Sequence, residues 1–184
     1  MNLLSNAKKF SQYKNSINKL LSSISQNQIN QSIKLIEKTI IKNGTLYLVG
    51  NGGSASIASH ISVDFTKIAK IKSSTFNNSN FITCFANDYG YENWVTEAIK
   101  AHCLKDDILI LISSSGKSSN IINAAHYCKD NNIDLITLSG FNQDNDLSKL
   151  GKVNFYVNSQ NYNYVEMAHH IILVSIVDFF KTNS

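Results

Sequence analysis

Residues 48–60 read LVGNGGSASIASH, an apolar strand that runs into bare backbone and then into a helical pattern carrying a histidine. Glycines at 50, 52 and 53 let the turn take conformations closed to other residues, and let main-chain amides approach a ligand closely. Outward from this turn the alternation continues. TLYLVG (45–50), NFITCF (80–85), DILILIS (107–113), DLITLSG (134–140) and VNFYV (153–157) have the length and the β-branched or aromatic content of strands. Helical stretches fill 54–70, 90–103, 118–131 and roughly 162–182, with a short turn of helix near 145–150, while KSSTFNNSN (72–80) reads as a polar loop. Strands apolar on both faces with helices between them predict a five-stranded parallel sheet covered on both sides. Right-handed crossovers make this an α/β fold, a three-layer αβα sandwich.

Ahead of the first strand, Ile17, Leu20, Leu21, Ile24, Ile29, Ile33, Leu35, Ile36 and Ile40 recur at helical spacing, so residues 1–43 predict one or two amphipathic helices that Asn43-Gly44 stops. With 184 residues, 43% of them hydrophobic, the chain suits one domain over 1–184, the sandwich occupying 45–184. Its apolar runs are too short to span a bilayer and its start lacks a signal-peptide pattern, which predicts a soluble, cytosolic protein with no membrane partner. The formal charge of +4 comes from scattered lysines, so no nucleic-acid partner is expected. Cys84, Cys103 and Cys128 have no paired spacing, and Cys84, inside an apolar run, is expected to pack as a small hydrophobe.

Ligands of an open parallel sheet bind outside the carboxyl ends of its strands. Two loops stand there. GNGGSAS (50–56) offers Asn51, Gly52, Gly53 and Ser54, the serine able to cap the helix or to donate its hydroxyl. SSSGKSSN (113–120) offers the hydroxyls of Ser113, Ser114, Ser115 and Ser118 around the Gly116 turn. Hydroxyls and free amides at a helix start suit phosphate oxygens, so a phosphorylated small molecule is the expected ligand.

LVGNGGSASIASH, FANDYG (85–90), SSSGKSSN, ITLSGF (136–141) and a histidine-bearing final helix, in this order, resemble the sugar isomerase (SIS) domain family and within it the phosphoheptose isomerases. The resemblance implies flavodoxin-like strand order and a homotetramer whose N-terminal helices pack between subunits, with active sites at the interfaces. It implies aldose–ketose isomerisation of sedoheptulose 7-phosphate in bacterial heptose and surface-carbohydrate synthesis. It also places the sugar phosphate on Ser113, Ser114, Ser115 and Ser118, the sugar on Asn51, Gly52 and Ser54, and Asn87 and Asp88 near the substrate.

Isomerisation needs a base beside a carbonyl, an acid for the neighbouring carbon and a means of holding the enediolate. His60 and Asp64 lie four apart on the helix after the glycine loop and share a face. The family has glutamate where this chain has Asp64, and some members use the pair to bind zinc. Asp64 is therefore the candidate base. In YVEMAHHIILVSIVDFF, Glu166 stands where the family has glutamine, His169 at a frequent histidine, and Val174 where the family has its acid/base histidine. His169 or His170 is left as the candidate acid, and His60, Asp64, Glu166 and His170 as a possible four-ligand zinc site. The loss at Val174 motivates an alternative, a SIS module that binds phosphosugar without converting it, or a tetrameric adaptor; isomerisation of a different phosphosugar is a third reading. His102 and His126 are expected at the surface or in packing, and Trp94 in the core.

Overall fold

The structure is a computed structural model, and it describes residues 3–181. Helix α1 (Leu3–Ser22) is followed by α2 (Gln26–Ile41). A capping box starts α2: Ser25 Oγ accepts the Asn27 amide at 3.2 Å, and Gln28 Oε1 accepts the Ser25 amide at 3.1 Å. Gln28 Nε2 also donates to the Asn154 carbonyl at 2.6 Å, which ties this helix to the far edge of the sheet. At the end of α2 the left-handed residue is Asn43 (φ 60°), not Gly44. Gly44 serves a different need, because a Cβ there would stand 2.1 Å from the Asp106 carbonyl oxygen.

Strands β1 (Leu46–Gly50), β2 (Ser73–Thr75), β3 (Ile108–Ser113), β4 (Asp134–Gly140) and β5 (Val153–Val157) form one parallel sheet in the order β2-β1-β3-β4-β5. The flavodoxin-like order and the α/β sandwich are as the sequence predicts. Every residue of β3 and β4 is buried. Ile108, Ile110 and Ile112 face one apolar layer with α2, α3 (Gly53–Lys67) and α7 (Tyr162–Phe179), while Leu109 and Leu111 face the other with α5 (Trp94–His102) and α6 (Ser119–Asp130). Cutting one such side chain, Ile110 for instance, to alanine costs about 2–5 kcal/mol. Trp94 is fully buried in the second layer, as expected.

One strand is misplaced by the sequence reading. NFITCF lies inside helix α4 (Ser79–Tyr89), and the second strand is instead Ser73–Thr75, within the expected loop. Asn78 caps α4 by accepting the Phe81 amide at 3.0 Å, and Phe81, Ile82 and Phe85 turn one half-buried stripe toward the second layer. Ala86 joins that stripe, and Cys84 lies off it, exposed rather than packed. The three-residue β2 pairs with β1 alone and has no fully buried residue, hence no apolar signature.

Candidate functional site

β1 and β3 are neighbours, with Gly50 paired to Ile112, so the loops that follow them open into the same crevice. In the first loop Gly50 is required by crowding, a Cβ there falling 2.6 Å from the Ser54 backbone. Gly52, at φ 55° and ψ −122°, holds a conformation open in practice only to glycine. In the second loop Gly116 turns the chain at φ 64°, and the space a Cβ would fill is taken by Asn145 Oδ1, 2.0 Å away.

Helices α2, α4 and α7 start with side-chain caps from Ser25, Asn78 and Asn161, whereas α3 and α6, which leave these two loops, have none. Their first amides therefore face the crevice without a side-chain acceptor, and the helix dipoles add positive potential. Ser54 does not cap α3; its hydroxyl faces that of Ser114 at 3.5 Å, and Ser113 Oγ donates to Ser118 Oγ at 3.1 Å. A cavity of about 270 Å³ results, lined by Asn51, Gly52, Gly53 and Ser54 on one side and by Ser113, Ser114, Ser115 and Ser118 on the other, with Tyr162 and Glu166 above. No lysine lines it, so the anion-binding capacity resides in amides and hydroxyls.

Glu166 comes from the second turn of α7 and packs against bare Gly53, where a Cβ would meet its Oε2 at 2.3 Å. Burial holds its carboxyl above the ordinary glutamate range. The sequence reading assigned Glu166 to a metal and did not see it in the phosphate cleft. It also missed Tyr162, Asn120 and Tyr91. Asn51 and Asn120 exchange two amide hydrogen bonds at 2.9 and 3.0 Å, and the Tyr91 hydroxyl donates to Asn51 Oδ1 at 3.1 Å. Asn87 and Asp88 are exposed on α4, bond to each other at 2.9 Å and do not line the cavity.

A second cavity of about 460 Å³ lies between α3 and α7, lined by His60, Met167, His170, Ile171, Val174, Ser175 and Asp178. At its edge His60 bridges two partners: its Nδ1 lies 2.9 Å from His170 Nε2, and its Nε2 lies 3.2 Å from Asp64 Oδ2. With Asp64 accepting the Nε2 proton, His60 Nδ1 is left to accept from His170. Burial and then the neighbouring His60 push the His170 pKa down, while Asp64 pulls it up.

His169 is different. It is fully buried, its Nε2 donates to the Ser139 carbonyl at 3.1 Å, and its Nδ1 has no partner. Burial lowers its pKa to about 4, so the imidazole is neutral and faces the core beneath β4. Adjacent helical residues point about 100° apart, so His169 turns to Ser139 of β4 while His170 turns to His60 of α3. The four-ligand zinc set is not assembled. His60 spends both nitrogens on separate partners, so His170, His60 and Asp64 form a chain rather than converging on a point, and Glu166 opens into the other cavity. Among the described residues no group of three His, Cys, Asp or Glu side chains is arranged to hold a metal ion.

The model of the SIS domain matches residues 12–140. A phosphoheptose isomerase of Helicobacter pylori (strain P12) is 34% identical over 139 residues, 72% of each chain. Among solved structures, the phosphoheptose isomerase of Neisseria gonorrhoeae superposes with a TM-score of 0.87 at 21% identity, covering 98% of this chain and all of that one. The phosphoheptose isomerase of Francisella tularensis does so with a TM-score of 0.86 at 22% identity, covering 98% and 99%.

Proposed function

The chain belongs to the SIS domain family, in the company of the phosphoheptose isomerases, and on that premise we propose that it interconverts sedoheptulose 7-phosphate and an aldoheptose 7-phosphate for surface-carbohydrate synthesis. The observation that carries this is the cleft that joins residues 51–54 with Ser113, Ser114, Ser115 and Ser118, lined by the Glu166 carboxylate and, among the described residues, by no lysine side chain. Phosphate is held by the serine hydroxyls and the free amides of α6, and the sugar chain extends past Asn51 and Ser54.

Glu166 serves as the proton carrier. Its carboxylate removes the proton from the carbon next to the carbonyl, giving an enediolate, and returns a proton to the neighbouring carbon while the hydroxyl and carbonyl oxygens exchange a proton. A raised pKa suits both halves of that task. Donors at the α3 start and the Ser54 hydroxyl stabilise the enediolate charge. The Asp64–His60–His170 chain, at the edge of the second cavity, is the proton relay that takes the role left by Val174. We further propose a cytoplasmic homotetramer; exposed Val63, Met167 and Ile171 around α3 and α7 support their cover by another copy.

The test incubates purified protein with sedoheptulose 7-phosphate and follows the aldose by proton NMR. Appearance of aldoheptose phosphate, abolished in Glu166→Gln, is the expected result. Binding without turnover at high enzyme concentration overturns the isomerase reading and leaves a phosphosugar-binding module.

A further inference from the structure

Asn51 lines the cleft, but most of its hydrogen-bonding capacity is spent behind it. Its Oδ1 accepts from Asn120 Nδ2 at 3.0 Å and from the Tyr91 hydroxyl at 3.1 Å, and its Nδ2 donates to Asn120 Oδ1 at 2.9 Å. A primary amide has two N–H donors and two acceptor lone pairs, so one N–H of Asn51 remains unspent. Asn120 does not line the cavity and is only 1% exposed. It is the second residue of α6, the helix that leaves the serine loop, while Asn51 sits in the glycine loop. The amide pair therefore clasps the two halves of the cleft from behind.

An unrestrained asparagine turns broadly about its terminal torsion, with two amide orientations of similar energy. Two hydrogen bonds to a buried partner remove that freedom, and the Tyr91 hydroxyl adds a third contact from the segment between α4 and α5. We propose that Asn120 is a positioning residue for sugar binding, acting through Asn51: the buried clasp holds the Asn51 amide so that its remaining N–H meets a sugar hydroxyl at a fixed distance from the serine-loop phosphate seat. This rests on the reading of the cleft as a sugar-phosphate site. Asn120 joins the clasp through its side chain, whereas the serine hydroxyls Ser113, Ser114, Ser115 and Ser118 and the main-chain amides at the α6 start line the phosphate seat, so truncating the Asn120 side chain tests sugar recognition apart from phosphate recognition.

The experiment is a double-mutant cycle on the full chain with Asn51→Ala, Asn120→Ala and the pair. It measures sedoheptulose 7-phosphate affinity by calorimetry, kcat/KM for isomerisation, and inorganic phosphate as competitor. Each single variant is expected to weaken sugar-phosphate binding about tenfold, and the pair to lie within about twofold of Asn51→Ala alone, because a residue that acts through another adds nothing once that partner is gone. Competition by inorganic phosphate stays within about threefold throughout, a readout that general damage to the fold would move. Losses that multiply, or an Asn120→Ala protein that binds the sugar phosphate as wild type does, overturn the proposal. If Asn120→Ala does not fold, the cycle runs with Asn120→Asp, which keeps the bond accepted from Asn51 Nδ2 and is expected to lose less. A wild-type protein that binds inorganic phosphate but not the sugar phosphate defeats the reading of the cleft itself, an outcome visible before any variant is made.

Discussion

Replacing Gly53 by alanine separates stability from activity. Gly53 opens α3, and its φ is not in the left-handed region, so alanine is compatible with the backbone. Relieving the unfolded chain of glycine's freedom stabilises by about 0.5–1 kcal/mol, roughly 2 °C in Tm for a chain of this size. The new methyl carbon falls 2.3 Å from Glu166 Oε2, 2.6 Å from its Cδ and 2.7 Å from Oε1, where ordinary contact begins near 3.4 Å. The far end of a glutamate can swing, and it must move by about 1 Å. Misplacement of a catalytic group by that distance costs about a hundredfold in rate. Steady-state kinetics beside thermal unfolding should thus show kcat down about a hundredfold with Tm unchanged or slightly raised. A Gly53→Ala protein with activity within threefold of wild type would refute the placement of Glu166 as proton carrier. A Tm lower by many degrees would show that the carboxylate cannot yield.

Gly116→Ala should do the opposite, lowering both stability and phosphate affinity. A side chain there takes a strained φ of 64° and meets the buried Asn145 amide at 2.0 Å; a Tm drop of several degrees in differential scanning fluorimetry is expected. Glu166→Gln should lower kcat by about a hundredfold or more and remove the acid limb of the pH–rate profile, a limb that in wild type lies above the ordinary glutamate pKa because burial raises it. His169 is neutral in the folded protein down to about pH 4 but takes a proton near 6.5 when unfolded, so its contribution is complete above 6.5 and is lost as pH falls through that window toward 4. Between pH 7 and pH 4.5 the loss amounts to about 2 kcal/mol, and urea unfolding of His169→Gln at these two pH values should show that much less acid sensitivity than wild type.

Much of this was legible before any coordinates. β1, β3 and β4 carry continuous apolar runs because both faces are covered, and the two loops announce themselves because glycine and serine cluster where a strand ends. NFITCF misleads because six residues with apolar positions at 81, 82 and 85 fit a buried strand and a one-sided helix equally, and the deciding signal is the Asn78 cap outside the run. An edge strand as short as β2 has too little burial to write a pattern. Which of two adjacent histidines meets α3 depends on how α7 rotates against the sheet, a tertiary fact; the same holds for Glu166, whose place beside Gly53 needs the packing of two helices distant in sequence. Asn120 hides for another reason, since a buried amide at the end of SSSGKSSN looks like one more polar loop residue.

The two cavities are built in different material. The serine-loop cavity is made of strand termini and main-chain amides, fixed by the spacing of β1 and β3, whereas the second cavity, between α3 and α7, is walled by side chains of α7 that include Met167, Ile171 and Val174. Drift in lineage or laboratory selection can therefore exchange the side-chain wall one residue at a time, while the serine-loop cavity, the proposed phosphate seat, stays put. A library randomised at those three α7 positions is a starting point for retargeting the scaffold to other phosphorylated polyols.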